Sequence, residues 1–199
     1  MDVSLPPNPF TTRHTRPGTL PPLAADGRPL DIAALIRELM HAGGAGIEGP
    51  HGSGKSTLLT AMAAKLADDG LLAGCLRLRG RWDAWAALGA ICSATAGQVV
   101  CLDGWETLGL VAAVARMLAR TRGVRLVVTS HRPTGIPLVV RTTTTVALLA
   151  AIVHRLPDHA GLIADSDLPE AFASHRGDLR EALLDLYDRF ELRARQQRL

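Results

Sequence analysis

The most specific chemistry in the chain lies in eight consecutive residues, Gly49, Pro50, His51, Gly52, Ser53, Gly54, Lys55 and Ser56. They fit the pattern GxxxxGK[ST], whose glycines let backbone N–H groups converge on phosphate oxygens with no side chain in the way. A helix that starts as the loop ends adds its positive N-terminal pole to the same anion. Lys55 is the group expected to reach the β- and γ-phosphates, and Ser56 the hydroxyl expected to ligate Mg²⁺, with Thr57 completing the nucleotide-contacting set. A glycine-rich turn that only caps a helix is the competing reading. The apolar run before the loop and the helical pattern after it favour the phosphate loop, and with it ATP and Mg²⁺.

Other reactive side chains stand at the ends of apolar runs. Asp103 closes QVVCLD, where a carboxylate beside a phosphate loop is expected to hold Mg²⁺ directly or through water. The next residue is Gly104, so the nearest carboxylate for activating water is Glu106. Glu106 reads either as a general base or as a first-turn carboxylate that favours a helix dipole. VVTSHRP ends another run, and Thr129 or Ser130 there could reach the γ-phosphate or the attacking water. Ser130 is taken as the candidate, with plain hydrogen bonding at a strand end as the alternative. His131 reads as a loop histidine before it reads as a catalytic one. Arg132 and Arg141 read as surface arginines before arginine fingers.

These residues need a scaffold that brings strand ends together. Asp31–His41 has helical spacing with Asp31 as N-cap, and a short strand then runs into the loop. Helices are expected over Ser56–Asp69, Trp82–Thr95 and Trp105–Arg122, alternating with strands at Leu72–Leu78, Gln98–Asp103, Val124–Ser130 and Pro137–Thr142. Such alternation implies a parallel sheet with helices on both faces. From Thr144 the pattern is wholly helical, around Val146–Arg155, at Asp167–Ser174 and from Asp178 to about Gln196. The division is therefore an extended N-terminal segment (1–30), a nucleotide-binding core (31–143) and a small helical lid (144–199).

Bulk properties set limits. The chain has 199 residues, enough for one domain with an appendage, and 47% are hydrophobic, which argues against global disorder. Net charge is only +3, so contact with nucleic acid or acidic partners is permitted but not demanded. Arg77, Arg79 and Arg81 alternate past a strand end and read as a solvated edge before a phosphate-facing one. Cys75 and Cys101 fall inside apolar runs, and Cys92 makes the count odd, so buried reduced thiols are expected for the first two. No membrane-spanning run is present, and MDVSLPPNPF lacks the pattern of a signal peptide, so the reading is cytoplasmic.

Taken together, GPHGSGKS, VVCLDGWE, VVTSHRP and GDLREAL resemble the AAA+ and STAND-related P-loop ATPases over roughly residues 44–190. The chain is also similar to a group of small bacterial ATPases with an NPFxTRxxRPG-like start and a DGxE motif. The resemblance implies a three-layer α/β/α P-loop NTPase with strand order 5-1-4-3-2, ATP hydrolysis, homo-oligomer formation and coupling to a protein or nucleic-acid partner. It implies that Arg180, which opens the GDLREAL helix, contacts the γ-phosphate. A capped amphipathic helix with Arg180 solvated is the alternative. It also implies that Asn8–Gly18 folds over the adenine, with Phe10 packing there and Arg13 or Arg16 reaching the phosphates or a partner; a disordered or partner-binding tail is the alternative. The chain departs from the pattern at Gly104 and in lacking an arginine pair before the last strand. A non-hydrolysing nucleotide switch is the second functional reading. A small-molecule kinase is the third, disfavoured because Val124–Thr142 carries only the short HRPTGI connector. No guanine motif or LSGGQ-type signature is present.

Overall fold

The computed structural model describes residues 7–159 and 161–197; residues 1–6, which open the N-terminal segment expected to be extended, lie outside the described residues, as do 160, 198 and 199. In chain order the elements are α1 (Thr12–Thr15), α2 (Ile32–Ala42), β1 (Ala45–Glu48), α3 (Lys55–Asp68), β2 (Leu72–Arg77), α4 (Asp83–Ser93) and β3 (Val99–Asp103). A 3₁₀ turn at Trp105–Leu108 leads into α5 (Val111–Thr121), then β4 (Arg125–Ser130), β5 (Leu138–Arg141), α6 (Val146–Val153), α7 (Asp167–Ser174) and α8 (Leu179–Gln196). The chain divides into two compact units. One holds residues 31–49 and 55–142; the other takes in the N-terminal segment up to residue 30, residues 50–54 and the chain from 143 onward.

The first unit is a parallel sheet in the order β2-β3-β4-β1-β5, flanked by helices. Its centre is built from residues apolar on both faces, which is why β3 and β4 read as continuous hydrophobic runs. Val100, Leu102, Leu126 and Val128 join the core under α4 and α5. Strand periodicity turns their neighbours Val99, Cys101 and Val127 to the opposite face. On that face α3 packs on the sheet with Leu58, Leu59, Met62 and Leu66 buried. Asp31 caps α2 as expected, its side chain accepting from the Ala34 N–H at 2.9 Å.

Two expectations about this unit need correcting. The helix foreseen over Trp105–Arg122 is broken: the 3₁₀ turn ends at Gly109, whose φ of 52° and ψ of −124° lie outside helical geometry, and α5 begins only at Val111. Cys75 is exposed, not buried, because β2 is an edge strand whose alternate residues face solvent.

Cys75 stands opposite Cys101 across β2 and β3. A hydrogen bond from the Cys101 thiol lowers the Cys75 pKa to about 7, against the opposing effects of burial and of the Asp103 charge, while the Cys101 thiol is pushed up. Iodoacetamide is therefore expected to alkylate Cys75 with a pH midpoint near about 7 and to spare buried Cys101. Peptide mapping by mass spectrometry checks this, and modification of Cys75 only above pH ~9 would refute it.

The second unit is helical. Leu148, Leu149, Val153, Leu168, Leu179, Leu186 and Phe190 form its core, and Phe10 from the N-terminal segment is buried with them. That segment is thus not wholly extended: Thr12–Thr15 make one helical turn, and Asn8 donates from Nδ2 to Tyr187 O (3.1 Å) and Glu191 Oε1 (2.9 Å). Asp178 caps α8, accepting from the N–H groups of Arg180 and Glu181. Among the described residues no helix is long and apolar enough to cross a membrane.

Candidate functional site

Parallel strands deliver their last residues to one edge of the sheet, and the register decides which side chains meet there. Asp103 lies opposite Thr129 on β4 and opposite Arg77 on β2. Its carboxylate accepts from Thr129 Oγ1 at 2.6 Å and from Ser56 Oγ at 2.9 and 3.1 Å, and Arg77 Nε stands 3.4 Å from Oδ2. The sheet edge and the first turn of α3 thus bring Ser56 onto Asp103. These are hard oxygen donors. A hydroxyl and one carboxylate suit Mg²⁺, which keeps several waters and takes its remaining ligands from substrate phosphates. Among the described residues no group of three or more His, Cys, Asp or Glu is placed to hold a metal.

Lys55 is buried at the start of α3. Its ammonium donates to Gly49 O at 2.8 Å and lies 3.1 Å from His131 Nδ1. An ammonium can only donate, so toward Lys55 Nδ1 accepts, whereas toward Gly49 O, 3.0 Å away, the same nitrogen can only donate; the imidazole tautomer decides between the two contacts. The other ring nitrogen, Nε2, stands 3.5 Å from Glu106 Oε1. A chain of polar contacts therefore links Lys55 through His131 to Glu106. Sequence reasoning ranked His131 low because nothing in VVTSHRP says where the residue after a strand will turn.

Gly104 has a structural explanation. Its φ is 91°, and a Cβ there would stand 2.8 Å from the carbonyl oxygen of Leu78, so the position excludes any side chain. Its N–H donates to Thr129 Oγ1 at 3.0 Å, which ties the turn to the same threonine that holds Asp103. A glutamate directly after Asp103 cannot be accommodated in this backbone, and Glu106 is the next acidic residue along the chain.

The remaining candidates are placed as follows. Ser130 is buried, and its Oγ accepts from Arg132 N at 3.0 Å, so it closes its own turn while Thr129 faces Asp103. The backbone of β4 also fixes the loop entrance, since Gly49 N donates to Ser130 O at 3.2 Å. Arg132 is exposed. Arg141 pairs with Glu48 at 3.4 Å, and Glu48 accepts from Thr134 N at 3.2 Å, anchoring the end of β1. Thr134 O in turn accepts from Trp105 Nε1 at 3.2 Å, a set of contacts the sequence did not disclose. Thr57 follows Ser56 in the first turn of α3.

Residues 50–54 group with the helical unit. Ser53 Oγ donates to Pro50 O at 2.8 Å, and Gly52 has a φ of 68°. A Cβ on Gly52 would lie 2.0 Å from Asp178 Oδ1, the carboxylate that caps α8. Arg180 is exposed in the first turn of that helix, its backbone N–H bound to Asp178.

No family model matches the chain, and no curated protein matches it. Among solved structures, a point variant of RuvB from Thermotoga maritima is similar at a TM-score of 0.52 and 19% identity, over 76% of this chain and 57% of that one. The chain thus spans little more than half the length of that protein. At this identity the likeness is one of fold: a parallel five-stranded sheet between helices in the AAA+-like order 5-1-4-3-2.

Proposed function

We propose that the chain binds ATP with Mg²⁺ and hydrolyses it, coupling turnover to the assembly or remodelling of a protein or nucleic-acid partner. The observation that carries this reading is the meeting of Ser56 and Asp103 at 2.9 Å beside a buried lysine at the end of a Gly49–Ser56 loop. Ser56 and Asp103 would hold the metal, which would supply charge neutralisation at the triphosphate. Lys55 exchanges Gly49 O and His131 for phosphate oxygens, as a mobile point charge can. His131 orients Glu106, which accepts a proton from the attacking water at its carboxylate. Thr129 keeps Asp103 in position through its 2.6 Å bond. Arg180 is read as a phosphate contact from the family resemblance alone.

The second reading, a slow or non-hydrolysing switch, draws on the engagement of Glu106 by His131 and on the absence of a carboxylate at Gly104. Calorimetric binding of ATP with and without Mg²⁺, paired with phosphate release, separates the two. Hydrolysis predicts that Glu106→Gln keeps binding and loses turnover by about a hundredfold. Tight binding by the unaltered chain without phosphate release establishes the switch instead. No binding at all sinks both.

A further inference from the structure

The sheet sets two thiols directly opposite each other. Cys75 on β2 pairs in register with Cys101 on β3, and two residues further along Arg77 pairs with Asp103. An irregularity in β2 produces this register. Leu72 stands opposite Val99 and Gly74 opposite Val100, so Ala73 is an extra residue in the edge strand. Without it Cys75 would face Leu102, and Arg77 would face Gly104. Bulges of this kind gather at sheet edges and beside functional sites, where they re-aim side chains. Strand periodicity then puts Cys75, Arg77, Cys101 and Asp103 on one face of the sheet.

The two sulfurs are unequal. Cys75 is exposed, whereas Cys101 is fully buried. The Cys101 thiol donates a hydrogen bond to Cys75, which favours the Cys75 thiolate. An exposed sulfur of this kind beside a second thiol is the arrangement found in redox-sensitive pairs. The spacing permits a bond, because neighbouring strands lie about 4.8 Å apart, within the about 4.4–6.8 Å between Cα atoms that disulfides span. Cys92 cannot take the place of either. It lies on α4, which covers the opposite face of the sheet through Ala84, Ala87 and Ile91.

We propose that Cys75 and Cys101 form a peroxide-responsive dithiol, and that its oxidation weakens the divalent-cation site at Asp103. The Cys75 sulfur attacks one oxygen of hydrogen peroxide, the O–O bond breaks, and hydroxide leaves and is protonated to water. Cys75 is then a sulfenic acid. The Cys101 sulfur attacks the Cys75 sulfur, the S–O bond breaks, and the Cys101 proton leaves with the hydroxyl group as a second water. The two thiols together lose two electrons and two protons, and the peroxide is reduced to two waters. This chemistry needs only the two sulfurs and the oxidant. The effect on Asp103 rests on the reading of that residue as a Mg²⁺ ligand. Arg77 Nε stands 3.4 Å from Asp103 Oδ2 with its side chain 57% exposed, so the ion pair of the reduced chain is loose. A disulfide holds its Cβ atoms about 3.5–4.5 Å apart, closer than the strand spacing of about 4.8 Å. It therefore draws β2 toward β3 on the face that Arg77 and Asp103 share, and the guanidinium competes with the cation for the carboxylate.

The test treats the full chain carrying Cys92→Ser with hydrogen peroxide and maps its tryptic peptides by mass spectrometry. That background is needed because trypsin leaves positions 92 and 101 on one peptide. The expected product is lighter than the reduced chain by two hydrogens, joins the Cys75 and Cys101 peptides, and reverts with dithiothreitol. Adding Cys101→Ala is expected to stop the reaction at the sulfenic acid, which dimedone traps on Cys75. Adding Cys75→Ser, at an exposed position, is expected to leave buried Cys101 unoxidised. Two free thiols after peroxide overturn the proposal. So does Cys75 carried to sulfinic acid beside an intact Cys101, or a bond formed only between chains. Calorimetry with ATP, with and without Mg²⁺, then reads the effect on Asp103. Oxidation is expected to cut the Mg²⁺-dependent gain in affinity by about tenfold or more, with recovery in dithiothreitol and no response from the chain carrying Cys75→Ser. An unchanged Mg²⁺ dependence in the bridged chain overturns the coupling to Asp103. A reduced chain that binds no ATP overturns that coupling together with the nucleotide reading, and the peptide map alone then decides the disulfide.

Discussion

Lys55→Ala is expected to weaken ATP binding at least about a hundredfold and to bring phosphate release to background. A hundredfold corresponds to about 2.7 kcal/mol, which two charge-assisted hydrogen bonds to phosphate supply. No neighbouring ammonium can substitute. The only other lysine in the chain, Lys65, lies near the end of α3, where it pairs with Asp69. The fold has little to lose from the change, because Gly49 O keeps its contact with His131 Nδ1 at 3.0 Å once the imidazole tautomer turns its proton inward. Calorimetry with ATP, phosphate release and a thermal melt separate the outcomes. Lys65→Ala should match the unaltered chain in all three. If Lys55→Ala binds ATP as tightly as the parent, the Gly49–Ser56 loop is not a phosphate site.

The prediction rests on residues that sequence reading found readily, and the contrast with those it did not find is instructive. The loop is a local motif: its spacing alone places Lys55 and Ser56 next to each other at a helix start. The buried strands β3 and β4 were equally legible, since both faces are covered and their residues are apolar without interruption. What stayed hidden depends on register and on strand position in the sheet. Thr129, not Ser130, meets Asp103, because Asp103 pairs with Thr129 across β3 and β4 and strand periodicity gives them the same face. Arg77 reaches Asp103 for the same reason one strand further out. Cys75 was misjudged because LAGCLRL reads alike at the centre and at the edge of a sheet. The break at Gly109 and the left-handed turn at Gly104 were missed because a glycine in a helical pattern does not announce its φ. His131 joined the site through a loop direction that no spacing encodes.

The second large effect concerns the helical unit and follows from one carboxylate. Asp167 opens α7 with its side chain 7% exposed, accepting from Arg193 Nη1 and Nη2 at 2.5 and 2.8 Å, from Ala164 N at 2.7 Å and from Arg189 Nη1 at 3.3 Å. The Arg193 hydrogen bonds dominate and hold its pKa down at about 2, against the opposing effect of burial. Removing one partner from a buried ionic cluster typically costs about 3–5 kcal/mol. Asp167→Ala belongs at the lower end, about 3 kcal/mol, because Arg189 keeps Asp185 and Glu170 and Arg193 is 38% exposed. The pH dependence has a definite sign. A depressed carboxylate pKa stabilises the fold above its unfolded value, near 3.9, and that contribution of about 2 kcal/mol disappears as pH falls from about 4 toward about 2. Urea unfolding at a series of pH values measures it. The stability gap between the unaltered chain and Asp167→Asn should be widest above pH ~4.5 and should close on acidification. A gap that stays constant through this window would mean that Asp167 acts by shape and capping, not by its charge.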